Sequence, residues 1–230
     1  MHTIAIMQPY FLPYLGYFQL INAVDQFIIY DDVDYIKQGW VNRNRLIISG
    51  NSQYFTVPLQ KASSNQLIMN TQINQQRTAF WLKKFTKSIK QSYSKAGNLQ
   101  VGLDLLNFIK QKITACDTID QINKLTLYWV CQYLEITTPF SCSSDKIDSR
   151  ELNGPERVLD ICRRTGAEKY INPIGGKELY SKEEFKSKKI ELAFLESDLR
   201  SEDFTHSILH SIIMVDKADI QAHLNSYRLG

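Results

Sequence analysis

The stretch from Thr3 to Tyr30, TIAIMQPYFLPYLGYFQLINAVDQFIIY, decides the fold. Residues 3–7 are a short apolar run of the kind a fully buried parallel strand requires. Gln8-Pro9 ends it, because Pro9 has no N–H to give to a ladder. After Pro13, a good helix start, the apolar residues from Tyr14 to Ile21 take helical spacing. Asp25 then precedes Gln26-Phe27-Ile28-Ile29-Tyr30, a second buried-type strand. Strand, helix and strand in so short a span form a βαβ unit, so the sheet is expected to be parallel there.

The same alternation continues along the chain. Residues 53–59 are β-branched and aromatic and read as a strand closed by Pro58; Leu67-Ile68-Met69 suggests a further short strand. From Thr78 to Leu134 the pattern turns helical, with apolar residues at 80, 81, 85, 89 and 93, then 103, 106, 109 and 113, then from Ile119 to Leu134. Strands are expected at 140–143, 169–172 and 190–195, and helices at 155–166, 183–188 and 211–227. No repeat or flexible linker interrupts the chain. The reading is an α/β protein with a parallel-sheet, Rossmann-like core, forming one domain over 1–230 with a helical insert near 78–135.

Composition narrows the function classes. The 230 residues are 43% hydrophobic and 22% charged, with a net charge of +3. That is a globular composition without the clustered basic face of a nucleic-acid binder. The four cysteines have neither CxxC pairing nor histidines at metal spacing and read as reduced, buried thiols. No secretory signal opens the chain, and no apolar run approaches the ~20 residues of a membrane span. A cytoplasmic protein is expected.

Three segments carry candidate chemistry. The strand-to-helix turn from Gln8 to Tyr17 sits where open α/β sheets bind ligands, and helix starts favour anions. It offers Gln8, Tyr10 and Tyr17; the plainer alternative is an aromatic packing turn. The second segment runs from Asp31 to Arg45. Asp31 and Asp32 follow a buried strand directly and are candidate proton acceptors. Lys37, Arg43 and Arg45 suit phosphate or carboxylate, Asn42 and Asn44 suit sugar hydroxyls, and Tyr35 and Trp40 offer flat faces. The alternative is a solvated loop with local Asp–Arg pairs. Asp32-Val33-Asp34 also has the spacing of a sugar-transferase DxD. The third segment is Gly175-Gly176, where backbone can approach a ligand closely, or a plain turn. His210 is a candidate general base; with His206 it lacks a third metal ligand, and no metal site is expected.

Several of these segments are familiar together. Gln8-Pro9-Tyr10-Phe11-Leu12-Pro13-Tyr14-Leu15-Gly16-Tyr17-Phe18, then Asp31-Asp32-Val33, Lys37 and Trp40–Arg45, then Thr56-Val57-Pro58, and the closing Ile208–Ile213 and Leu224–Leu229 resemble the WbqC-like family across nearly the whole chain. The opening turn is also similar to that of HxGH nucleotidyltransferases, but Leu15-Gly16-Tyr17 holds no histidine, so adenylylation is not supported. The resemblance implies a part in bacterial O-antigen or other surface-glycan (lipopolysaccharide) biosynthesis. It implies a transferase moving an acyl or aminoacyl group, from a carrier-protein phosphopantetheine thioester, to an amino sugar or nucleotide sugar. A non-catalytic sugar-nucleotide-binding module and a glycosyltransferase stand as alternatives, and a homodimer is an open option. Relatives often carry an acid a few residues after the serine of the closing segment, where this chain has Met214.

Overall fold

The computed structural model describes residues 1–146, 149–152 and 154–230. β1 (Thr3–Met7), α1 (Leu15–Asn22) and β2 (Gln26–Ile29) form the expected unit, with the strands parallel and Ile4 opposite Gln26. A hairpin of β3 (Arg43–Ile48) and β4 (Asn51–Thr56) follows as a separate two-stranded sheet. Three long helices come next, α2 (Gln75–Ser92), α3 (Leu99–Lys112) and α4 (Ile119–Leu134). Then come β5 (Phe140–Cys142), α5 (Ser143–Lys146), α6 (Gly154–Arg164), β6 (Lys169–Pro173), α7 (Lys182–Ser187) and β7 (Glu191–Ser197). The chain closes with α8 (Glu202–Thr205), α9 (Ile208–Met214), α10 (Lys217–His223) and β8 (Tyr227–Leu229).

The main sheet has the order β5-β2-β1-β6-β7-β8 and is parallel except for β8. The chain moves outward from β1 to β2, later adds β5 beyond it, and returns through α6 to place β6 on the other side of β1. The order therefore reverses between β1 and β6, and a crevice is expected above the carboxyl ends of those two strands.

Strand alternation gives each sheet face its own core. Ala5, Phe27, Ile29, Ile171, Ala193 and Leu195 belong to a large cluster shared with α1 and the 75–134 helices. Ile4, Ile6, Ile28, Tyr170, Leu192 and Phe194 pack with Val158, Ile161 and Cys162 of α6 and Phe185 of α7. The cysteines are free; burial pushes the Cys131 and Cys162 thiols up to about 12. No helix among the described residues is long and apolar enough to cross a membrane.

Three local expectations are corrected. Residues 42–45 are not a loop: Arg43–Ile48 pair with Asn51–Thr56 through the two-residue turn Ser49-Gly50, both at positive φ (51° and 79°), the hand that matches strand twist. Ile68–Asn70 is a 3-10 turn rather than a strand; Leu67 alone bridges to Asp34. The C-terminal stretch is not one helix: α9 and α10 are separated at Val215-Asp216, and the last residues form β8 on the edge beside β7.

Candidate functional site

The loop from Gln8 to Tyr14 crosses the carboxyl end of β1, and its backbone carbonyls are held by side chains from distant parts of the chain. Tyr17 Oη donates to the Gln8 carbonyl at 2.8 Å. Asn123 Nδ2, on the buried face of α4, donates at 2.8 Å to both Pro9 and Val41 carbonyls. Asn44 Nδ2 donates to the Phe11 and Leu12 carbonyls at 3.2 and 2.8 Å. Ser207 Oγ donates to the Leu12 carbonyl at 2.7 Å, and the Ile208 N–H to the Pro13 carbonyl at 2.8 Å. Leu12 sits at φ 46°, a conformation costly for a branched side chain, and this bonding overdetermines it. Two helices, a hairpin strand and the α8–α9 junction thus fix one turn.

Above this turn lies a cavity of about 600 Å3, within the about 300–1,000 Å3 of small-molecule sites. Met7 and Pro173 mark its floor at the ends of β1 and β6, the point of order reversal. Tyr10, Tyr14, Tyr17 and Trp40 supply flat walls, and Asn44, Arg45, Gly175 and Thr205 complete it. Gly16 packs under the Tyr14 ring: a Cβ there would lie 2.3 Å from it, so Tyr14 would have to swing aside. Burial raises the pKa of Tyr10, Tyr14 and Tyr17, so all three stay protonated at neutral pH. The Tyr10 hydroxyl has no hydrogen-bond partner among the described residues. Arg45 is the one charged side chain in the lining. It makes no ion pair among the described residues.

Of the sequence candidates, Tyr10, Tyr17, Trp40, Asn44, Arg45 and Gly175 meet in this cavity. Others are architectural. Gln8 contributes its carbonyl to the turn. Tyr35 and Asn42 are buried and bonded to each other at 2.8 Å, with Asn42 also donating to the Val57 carbonyl at 2.9 Å. Arg43 lies with its guanidinium 4.6 Å from the Tyr54 ring centroid. Gly176 is needed because a Cβ would meet Asn172 Nδ2 at 2.0 Å. Lys37 is exposed in the loop after β2.

The two aspartates do not line the cavity. Asp31 and Asp32 are 1% and 3% exposed. Lys124 bonds Asp31 at 2.6 Å, and the Ser144 hydroxyl donates to it at 2.8 Å. Burial alone would raise the Asp31 pKa, but Lys124 and Ser144 bring it below the ordinary carboxylate value. Arg157 bonds Asp32 at 2.5 Å, and Ser143 donates to the same carboxylate. Asp34 is exposed, so Asp32 and Asp34 do not face one ligand together. His210 is also buried. Its Nε2 lies 3.3 Å from Asp203 and its Nδ1 2.7 Å from the Tyr93 hydroxyl. A carboxylate only accepts, so Nε2 carries the proton and Nδ1 accepts from Tyr93. Burial lowers the His210 pKa, keeping the ring neutral. Neighbouring His206 has Ser52 at 3.0 Å on Nε2 and the Glu202 carbonyl at 2.9 Å on Nδ1. Met214 is half-exposed at the end of α9 and does not line the cavity.

Pro13, Tyr14, Gly16 and Pro173 fell within the candidate segments without being singled out; Met7 and Thr205 as lining residues, and Asn123 and Ser207 as supports, were missed. Asn123 had a signal: a carboxamide on the apolar face of an amphipathic helix must find buried partners. Ser207 and Thr205 had none, since they reach the site only through tertiary packing.

The model of the WbqC-like protein family matches residues 8–213. An uncharacterized protein of Mycobacterium tuberculosis, Rv1507c, is 30% identical over 203 residues, covering 86% of this chain and 84% of that protein. No solved structure matches.

Proposed function

The chain belongs to the WbqC-like protein family, and from that premise we propose that its cavity binds an amino sugar linked to phosphate and presents the amine for acylation. One observation carries the reading: an aromatic cavity at the order reversal of the sheet is lined by one cation, Arg45, which makes no ion pair among the described residues. A guanidinium fork matches a phosphate oxygen pair. The first turn of α1, which reaches the cavity at Gly16, adds helix-start N–H groups that favour negative charge. The tyrosine rings match the apolar faces of a sugar, and the Tyr10 hydroxyl matches one of its hydroxyls.

The proposed step is aminolysis of a carrier-protein thioester. The sugar amine attacks the acyl carbon, a C–N bond forms, and the C–S bond breaks to release the carrier thiol. The amine's proton passes to the departing sulfur or to solvent. A neutral amine is a strong nucleophile and a thiol leaves readily, so positioning supplies much of the rate. That suits a cavity whose lining contains no Asp, Glu, His, Cys or Lys. Within bacterial surface-glycan assembly such a product is an N-acylated sugar.

The same lining favours a second reading, a binding module without turnover. Thiol release from an acylated carrier protein, with and without an amino-sugar nucleotide, separates the two. Amine-dependent release that falls at least tenfold in Arg45→Ala supports the transferase. Binding of the sugar nucleotide with no release supports the module. Absence of both overturns the cavity assignment.

A further inference from the structure

A second groove, of about 580 Å3, lies between the β3–β4 hairpin and α2. Phe55 of β4 and, at its edge, Tyr54 line it from the hairpin; Arg77, Phe80, Trp81 and Lys84 line it from one face of α2 at helical spacing. Its floor is a continuous stack. The Trp81 and Phe85 rings lie 5.1 Å apart at 9°, and those of Phe85 and Phe55 4.8 Å apart at 24°. These rings pack the hairpin onto the helix.

The rim is different. Tyr54 is 59% exposed and Phe80 60%. Each carries a cation over its ring, Arg43 at 4.6 Å from the Tyr54 centroid and Lys84 at 4.5 Å from that of Phe80. No acidic residue lines the groove, and its two cations, Arg77 and Lys84, make no ion pair among the described residues. Exposed flat faces and uncompensated positive charge occur together in one groove of ligand size. A neutral oligosaccharide would use the rings and leave the cations idle. A bare anion would use the cations and leave the rings in water. A nucleoside phosphate uses both, because a base stacks on aromatic faces regardless of its identity while its phosphates meet Arg and Lys.

The groove adjoins the cavity. Trp40 lines the cavity, Tyr54 lines the groove, and their ring centroids are 6.3 Å apart. The Phe11 ring, in the turn over β1, lies 6.2 Å from Trp81 beneath the groove. We propose that the groove is the nucleoside subsite of a sugar nucleotide whose sugar end occupies the cavity. This rests on reading the cavity as the substrate site, and it names the substrate class as nucleotide-linked rather than lipid-linked or free sugar phosphate.

Calorimetric titration of the full chain with UDP and ADP, with inorganic pyrophosphate as the ring-free control, tests it. Both nucleotides should bind, with pyrophosphate at least tenfold weaker. Tyr54→Ala and Phe80→Ala should each weaken UDP binding roughly tenfold, with circular dichroism unchanged because both side chains are exposed. Absence of nucleotide binding, equal binding of pyrophosphate, or wild-type affinity in both ring variants overturns the subsite. Arg45→Ala separates the two proposals. Loss in Arg45→Ala with the ring variants intact keeps the cavity and removes the groove. Loss in the ring variants with Arg45→Ala intact keeps the groove and removes the cavity's share.

Discussion

Two polar regions sit at the carboxyl end of the same sheet, and they treat charge in opposite ways. Around Asp31 and Asp32 every carboxylate has a cation and a serine against it, and solvent is excluded. In the cavity between β1 and β6, Arg45 makes no ion pair among the described residues. A buried ion pair satisfied within the chain holds the fold in register; a cation left unpaired in a concave site is available to something from outside. On the proposed reading, acidity at a strand end is a poor marker of chemistry here, and the uncompensated group is the better one.

The largest expected effect tests the closed region. Arg157→Met should cost about 3–5 kcal/mol, because it strands the Asp32 carboxylate in the interior. Urea unfolding measures it, and a loss below about 1 kcal/mol would mean that Asp32 is solvated and free to act on substrate.

The neighbouring Asp120–Lys124–Asp31 group offers a pH test. Burial pushes Asp120 up from 3.8 to about 6, despite Lys124 at 2.7 Å, and the charge of Asp31 adds to the rise. The folded state thus holds the Asp120 proton more tightly than the unfolded chain. This contribution is full below pH 3.8 and is lost as pH rises through about 6. The loss amounts to up to about 3 kcal/mol. Asp31, with its lowered pKa, stays ionised across that window. Asp120→Asn should flatten this fall of urea midpoints between pH 4 and 7; an unchanged slope would assign the pH dependence elsewhere.

Asn44 links the two regions' logics, since it lines the cavity while tying down the turn. Asn44→Ala leaves the Phe11 and Leu12 carbonyls short of a donor and should cost about 1–3 kcal/mol. It should also weaken sugar-nucleotide binding, read by the same titration. The smallest effect on stability belongs to Arg45→Ala, within about 0.5 kcal/mol, with ligand affinity falling. A large stability loss there would place Arg45 with the structural cations and dissolve the contrast.

The β1–α1–β2 unit, the helical run ending at Leu134 and the strands around 170 and 193 were legible, because apolar periodicity records which faces are buried. The β3–β4 hairpin was not read, although Ser49-Gly50 between two strand-like runs signals it. The string of Asn and Arg side chains preceding it drew attention to chemistry instead. Of the residues expected to bind substrate, Tyr10, Tyr17, Trp40, Asn44, Arg45 and Gly175 line one cavity, a grouping of three segments that the sequence did not indicate. Asp31, Asp32 and His210 look like catalytic groups in one dimension because their partners lie far away in sequence. Lys124, Arg157 and Tyr93 are 93, 125 and 117 residues from them.

By itself the sequence determined the parallel α/β core and the place of the turn after β1. Both follow from local rules: the period of side chains along strand and helix, and the inability of proline to continue a ladder. Only the tertiary structure decided which polar groups are paired and which are open. That depends on desolvation and on distances between side chains remote along the chain, and no local pattern encodes either.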